Sequence, residues 1–475
     1  MDSTNLSATM IAELGATFTA ALTAAGPQLL QRDLAGIERA VQALSRQVLG
    51  RVVEAVVATR AASALVDPPC CPGCGQPMRR VARARARQLV GLVGDYTLRR
   101  PYFVCDGCHQ GQAPVDAALG LDRGSLSPGL GRVACRLGVE TSFGETTVLL
   151  EETLQVRVPA EAVRRLTEGV GAVAEGEAQA VICPAQVGAV PPTGVLPAGA
   201  ALLVEVDGAM VHLDDDWHEV KVGLAAPLGP QRERDSDTRR ERLIVGAADY
   251  CAGLEPAEAF WYRLYATACG QGLGSPGLQC VVVLGDGAEW IWHAAARFLT
   301  IGAVELVEIV DLYHAWEHLG TVAQAVFGTG SPAAAAWLTP LKDQLRDQGV
   351  APVLAALQAL APPDPAAADE VRKALGYFTT HAARMDYPAF VARGWPIGSG
   401  AIESGCKTLI EAREKGAGMR WSRAGAQAVA TLRALERSGG WEAFWATQPQ
   451  CRCPAVFPRQ ARGGAGERDV SPLAA

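Results

Sequence analysis

The sequence predicts an α/β protein in which a mixed sheet is interrupted by an all-helical insertion and preceded by a helical segment and a small cysteine-rich unit. Three observations predict it. From Ala201 onward, short apolar runs of strand type give way to alternating helix and strand patterns. Residues 312–395 are rich in Ala and Leu at helical spacing, interrupted by Pro332, Pro340 and Pro362-Pro363. Two CxxC pairs stand within residues 70–122.

Each element follows from its own pattern. Residues 1–69 form a helical segment in which Leu30, Leu34, Ile37, Val41, Leu44, Val48, Val52 and Val56 recur three or four apart. That stripe suits either a coiled-coil seam between copies or one helix packed on its own domain. Residues 70–122 are a compact cysteine- and arginine-rich unit. Residues 123–182 are helical, with patterns at 128–138, 143–154 and 160–173; the last two, joined by Gln155 to Val158, read as a helix-turn-helix carrying Arg164 and Arg165 or as an ordinary helical hairpin. The Pro- and Gly-rich stretch 183–200 reads as a linker.

Residues 201–311 hold the first part of the sheet domain. Strands are expected at Ala201 to Val206, His218 to Ala225 and Leu243 to Ala248, the last two linked by the charged run Arg232 to Arg242. A helix at 256–269, the strand Cys280 to Leu284, a helix at 288–299 and the strand Glu305 to Val310 follow. Residues 312–395 are the insertion. Residues 396–450 return to the domain with a helix at 401–415, and 451–475 read as a disordered tail.

Composition bounds the class. The chain has 475 residues and 49.8 kDa, about three domains' worth. Its 49% hydrophobic fraction excludes global disorder. No basic leader followed by an apolar run opens it and no bilayer-length apolar stretch stands out, so a cytoplasmic protein without a membrane partner is expected. Thirteen cysteines, an odd number in a long chain, point to reduced thiols and a metal site rather than a disulfide framework. The net charge of −7 argues against nucleic acid only as an average. Residues 70–110 carry +5 and residues 404–440 carry +4, so the rest carries −16.

Cys71-Pro-Gly-Cys74 and Cys105-Asp-Gly-Cys108 are two knuckles that can close a tetrahedral Zn²⁺ site, with a β-ribbon filling the 30 residues between them. Cys70 and His109 adjoin the ligands and could substitute. In the same unit Arg79, Arg80, Arg83, Arg85 and Arg87 precede Arg99 and Arg100. On a strand Arg83, Arg85 and Arg87 would share one face, which suits phosphate contacts or a solvated surface.

Asp207 and Asp286 each stand where an apolar strand opens into a Gly turn, the place where sheets present catalytic groups. Glu403 begins a helix after Gly398-Ser-Gly400. Three carboxylates at one edge would repel unless cations were bound, and hard oxygen donors select Mg²⁺ or Mn²⁺. Glu205, on the same strand face as Asp207, is the rival ligand. Asp311-Leu-Tyr-His314 offers a metal or DNA contact, or a helix cap above a packed histidine. No zinc-hydrolase histidine pattern is expected. A second basic segment, with Lys407, Arg413, Lys415, Arg420, Arg423, Arg433 and Arg437, is interleaved with Trp395 and Trp421, which suits contacts to a DNA end or amphipathic helices with a wet basic face.

Together these residues resemble a bacterial insertion-sequence transposase of the DDE type, particularly the ISKra group, related to Mutator-like transposases. The motifs that carry the resemblance are the CPxCG knuckle with its downstream CxxC, Leu119-Gly-Leu121, Val206-Asp-Gly208, Leu284-Gly-Asp-Gly287 with Trp290-Ile-Trp292, Asp311-Leu-Tyr-His314, Ile397 to Ser404, and Gly418-Met-Arg-Trp421. The resemblance implies an RNase H-like domain with a metal-binding triad of Asp207, Asp286 and Glu403, with Asp311 and His314 beside it. It implies transposon ends and target DNA as partners and a homo-oligomer to pair the ends. An RNase H-like nuclease without strand transfer, and a zinc-ribbon DNA-binding regulator with an inactive sheet domain, are the alternatives.

Overall fold

The computed structural model describes residues 8–63, 68–121, 124–186, 188, 190–234, 241–300 and 304–447. The tail expected at 451–475 and the middle of the charged run at 232–242 lie outside the described residues. The described residues form two compact units, divided between Val170 and Gly171, with Trp445 to Thr447 grouped with the first.

The first unit opens with α1 (Ala8–Leu29) and α2 (Leu34–Ser63), followed by β1 (Arg79–Val90), β2 (Asp95–Val104) and β3 (Gly111–Gln112) in one antiparallel sheet. Then come α3 (Pro114–Ala118), α4 (Pro128–Glu140), α5 (Phe143–Leu154) and α6 (Ala160–Ala185), whose residues from Gly171 belong to the second unit. Ser127 and Ser142 cap α4 and α5 through the amides of Leu130 and Glu145. The side of α2 that meets the sheet carries Val53 and Val57, packed with Leu89, Tyr96 and Leu98, while Arg46 donates to the carbonyls of Gly91 and Leu92.

The stripe that stands out in the sequence is therefore not the face that packs on the sheet. Leu30 is 90% exposed and Leu34 70%, with Val41 and Val56 also exposed. The expectation about bilayer-length segments needs correction as well. By length and composition the 22-residue α1, with a mean hydropathy of 1.3 over its most apolar 18 residues, is apolar enough to cross a membrane, and none of its described residues is buried. Its apolarity comes from Ala, Leu, Ile, Met and Phe interspersed with Thr and Gly, so no solid apolar run marks it in the sequence.

In the second unit β4 (Ala200–His212) and β5 (Trp217–Arg234) form a long antiparallel hairpin, with β6 (Glu241–Val245) and β7 (Asp249–Gly253) both pairing with β5. The chain continues through α7 (Ala257–Gly270), β8 (Leu278–Gly285), α8 (Glu289–Leu299) and β9 (Glu305–Val310). The sheet order is β6-β5-β4-β8-β9, with β4, β8 and β9 mutually parallel. Leu202 to Val204, Val281 to Leu284 and Ile309 are buried with Phe260 and Trp261 of α7 and Trp292 of α8. Burial on both faces explains why these strands read as continuous apolar runs.

Three expected strands change shape, the second of them running nine residues past Ala225 to Arg234. β4 runs six residues past Val206, because β5 pairs it as far as His212. The third expected strand, Leu243 to Ala248, stops at Val245 before Gly246, whose amide bonds to the Pro227 carbonyl, and a separate strand that was not expected, β7, pairs with another stretch of β5. The insertion is helical, in α9 (Leu312–Phe327), α10 (Pro332–Gln348), α11 (Ala351–Gln358), α12 (Pro365–Thr380) and α13 (Tyr387–Arg393), and Leu319, Leu345, Val353 and Phe378 join its apolar side to the sheet core. The expected helix 401–415 is α14 (Gly400–Gly405), a π-helical stretch Cys406–Glu411 and α15 (Ala412–Glu414), before α16 (Arg423–Arg437) and α17 (Trp441–Thr447).

Candidate active site and metal centre

The carboxylates meet where the parallel strands end. Pairing between β4 and β8 stops at Glu205 and Leu284, so Asp207 lies just beyond the end of its parallel neighbour although β4 itself continues. Asp286 follows the last residue of β8, and Asp311 follows the last residue of β9. All three therefore stand at the carboxyl edge of adjacent strands. Glu403 comes from α14. The amide of Ile402, one residue before it, donates to Glu205 Oε2 at 2.8 Å, which ties α14 to β4.

Ser399 links two more of the acids. Its hydroxyl donates to Asp311 Oδ2 at 2.5 Å and lies 3.4 Å from Glu403 Oε1. Asp311 also accepts from the Tyr313 amide at 2.9 Å and so caps α9. Its buried carboxyl is both a cap and a member of the cluster. The Asp286 carboxylate accepts from the Ala288 amide at 2.9 Å.

The electrostatics follow from this crowding. Burial raises the Asp207 carboxyl above its usual range, with the charges of Asp286 and Glu403 adding to it and the Gly208 amide and Cys406 thiol opposing. Burial likewise raises Asp311, with Ser399 opposing and Glu403 adding. Glu205, 1% exposed, is pushed up to about 8 by burial and by Asp311 and Glu403, against the Ile402 amide. The cluster holds more negative charge than its surroundings neutralise, which a bound hard cation would relieve. Lys407, with Nζ 3.6 Å from Glu403, is a weak, exposed partner.

The second site is closed. Cys71 Sγ lies 3.3 Å from Cys108 Sγ, and Cys74 Sγ is 3.4 Å from Cys105 and 3.8 Å from Cys108. Sulfurs about 2.3 Å from a tetrahedral ion would stand about 3.8 Å apart, so this set fits a metal such as Zn²⁺. Among the described residues it is the one group of three or more His, Cys, Asp or Glu side chains whose donor atoms all lie within 4.8 Å of one another. The carboxylates are more widely spread.

The two knuckles repeat one turn. Gly75 N bonds to Cys71 O and His109 N to Cys105 O, while Cys71 N and Cys105 N bond to the carbonyls of Gln76 and Gln110. Gly75 and His109 occupy the same left-handed position, at φ 73° and 57°. His109 is thus a turn residue and not a ligand, and Cys70 pairs with Pro77 outside the cluster.

The expected DNA-contacting residues separate into two groups. Arg80 and Arg83 are exposed, Arg79 is exposed beside Asp106, and Arg85 lies over the Tyr102 ring at 4.0 Å. Arg87 departs from expectation: it joins Arg100 on Asp116, at 2.8 and 2.7 Å, and props α3 against the ribbon. Register shifts between Arg80 and Arg85 also break the single-face row. Lys407, Lys415 and Arg420 are exposed, although Lys415 pairs with Glu411.

Arg413, 2% exposed, lies over the Trp421 ring, and Arg433 donates to the carbonyls of Leu409 and Thr408 in the wide π turn. Neither is presented to a DNA backbone. Trp395 and Trp421 are core residues as well. His314 Nδ1 is 3.3 Å from Glu317, and its ring meets His318 edge-on at 5.1 Å. His314-Ala-Trp-Glu317-His318 has a reversed zinc-hydrolase spacing, contrary to expectation, yet it forms no three-ligand cluster among the described residues.

Sequence reasoning left Glu205 as a rival ligand, where the structure gives it a hydrogen bond across elements. It had no signal for Tyr377, whose hydroxyl donates to the Asp286 carbonyl at 3.1 Å. No protein-family model matches the chain, and no curated protein matches its sequence.

Proposed function

We propose that the chain is a DNA transposase of the DDE type, with an RNase H-like catalytic domain that cleaves the ends of its element in a Mg²⁺- or Mn²⁺-dependent reaction and joins them to target DNA. The observation that carries the reading is the meeting of Asp207, Asp286, Asp311 and Glu403 at one sheet edge, where the charges of Asp286 and Glu403 act on Asp207 and that of Glu403 acts on Asp311. The order β6-β5-β4-β8-β9 and the helical insertion between β9 and α14 support it.

Asp207, Asp286 and Glu403 are the residues that would hold the cations, which when bound activate the attacking oxygen and steady the leaving one. The chain's own part is positioning. Ser399 orients Asp311 and Glu403, and Glu205 anchors the helix that carries Glu403. His314, one helical turn after Asp311, stands with Glu317 as a polar flank to the site.

The exposed cations Arg79, Arg80, Arg83 and Arg85 are proposed phosphate contacts of a zinc-bound ribbon, and Lys407, Lys415 and Arg420 those near the catalytic edge. Pairing two DNA ends implies a homo-oligomer, for which the exposed stripe of α2 offers a seam, and the protein is proposed to act in the cytoplasm on the nucleoid.

Asp207→Asn should abolish Mg²⁺-dependent cleavage of a terminal-repeat duplex while leaving duplex binding intact, as measured by gel cleavage and anisotropy. Retained cleavage would remove Asp207 from the site. A strand-transfer assay with pre-cut ends separates a transposase from a nuclease that only cuts.

A further inference from the structure

Asp286 stands on a loop whose shape is imposed from outside the sheet. The loop leaves β8 at Gly285, whose carbonyl accepts from the Asp311 amide at 2.8 Å, and turns at Gly287 with φ 109°. A further main-chain anchor comes from the helical insertion: Tyr377 of α12, 91 residues along the chain, donates its hydroxyl to the Asp286 carbonyl at 3.1 Å. A Cβ on Gly287 would stand 2.9 Å from Tyr377 Cε2, so the loop is glycine where the ring passes.

The ring is itself clamped. It stacks on His318 of α9 at 3.9 Å and 26°, and it meets His381 and Phe378 edge-on at 5.0 and 5.4 Å. A hydroxyl on so constrained a ring has little freedom to turn elsewhere.

We infer that Tyr377 is a positioning residue: through the Asp286 carbonyl it sets the direction of the Asp286 side chain, so the helical insertion shapes the metal-binding edge. This rests on the proposed reading of Asp286 as a metal ligand. The geometry gives the insertion a part in catalysis beyond packing, because packing against Gly287 and His318 requires only the ring, whereas the hydroxyl bonds the Asp286 carbonyl.

Tyr377→Phe keeps the ring and deletes the bond. The probe is Mn²⁺, titrated by electron paramagnetic resonance into the zinc-loaded full chain, with Asp286→Asn marking the sites that depend on that carboxylate. The expected result is a weakening of Asp286-dependent Mn²⁺ binding by about fivefold, the equilibrium weight of one neutral hydrogen bond. The Mn²⁺ concentration for half-maximal cleavage should rise in parallel, with duplex binding and thermal unfolding unchanged. Superimposable Mn²⁺ titrations for wild type and Tyr377→Phe overturn the inference, as does the absence of any Asp286-dependent Mn²⁺ binding. Weakened Mn²⁺ binding in a protein that cleaves no DNA supports the inference and overturns the transposase reading. If Tyr377→Leu, which removes the ring, unfolds the chain while Tyr377→Phe behaves as wild type, the side chain is structural only and the inference fails.

Discussion

Glu414 is 1% exposed, and neither of its carboxyl oxygens has a hydrogen-bond partner among the described residues. Burial pushes it up to about 8, against the charges of Arg413 and Arg433. Between its ordinary value of 4.5 and about 8 the unfolded chain has lost the proton that the folded chain keeps. Stability therefore falls as pH rises through that window, at up to about 1.4 kcal/mol per pH unit for the one group. Urea denaturation between pH 5 and pH 8 without added divalent ions should show this decline, and Glu414→Gln should flatten it. Glu205 acts in the same direction, and Mg²⁺ should reduce its share by lowering the charge around it. Glu205→Gln keeps an acceptor for the Ile402 amide and should retain most cleavage, whereas Glu205→Leu frees α14 and should lower it by about tenfold or more, read from single-turnover rates at saturating duplex. Asp207 and Asp286 were legible because an acid beside glycine at the end of an apolar run is a local signal, and Glu403 because it begins a helix after Gly398-Ser-Gly400. Glu205 was legible only as a rival ligand, and its anchoring of α14 and the whole part of Tyr377 were not, because what makes each matter is a partner 197 or 91 residues away.

Among the elements, the cysteine unit was the most legible, since ligand spacing is written directly in the chain. Its apolar core is small: Cys71, Met78, Phe103 and Cys105 are buried together, so two of the four core residues are ligands. Metal removal by a chelator should therefore unfold β1 to β3, and Cys105→Ser should do so irreversibly, with loss of strand signal in circular dichroism and of the tetrahedral absorption of a Co²⁺-substituted sample. The arginine row was legible as charge but not as geometry. Bulges re-aim β1 at Ala82, and Asp116, on an element the pattern could not place, takes Arg87 and Arg100. The helix at 401–415 hides a π turn for a similar reason. Its wide ring leaves the Thr408 and Leu409 carbonyls to be satisfied by Arg433 from a later helix.

For the molecule as a whole, the exposed stripe carries a prediction. Leu30 and Leu34 on the α1–α2 segment, with Ile11 and Phe18, leave more apolar surface in water than a lone helical hairpin needs. Analytical ultracentrifugation should find a self-associated species, and Leu34→Glu should shift it toward the monomer without changing the ribbon's metal content. Sedimentation with phospholipid vesicles tests the competing fate that the apolarity of α1 allows. Period, glycine and proline punctuation and ligand spacing sufficed to set the class, the element types, the cysteine set and three of the clustered acids, because all of these are encoded within a few neighbouring residues. The tertiary structure alone decided which arginines are held by carboxylates, which tryptophans are core, that Asp311 both caps a helix and joins the acids, and that the insertion touches Asp286. Those outcomes depend on strand register and long-range approach, and a residue's neighbours across a sheet edge leave no trace in its neighbours along the chain.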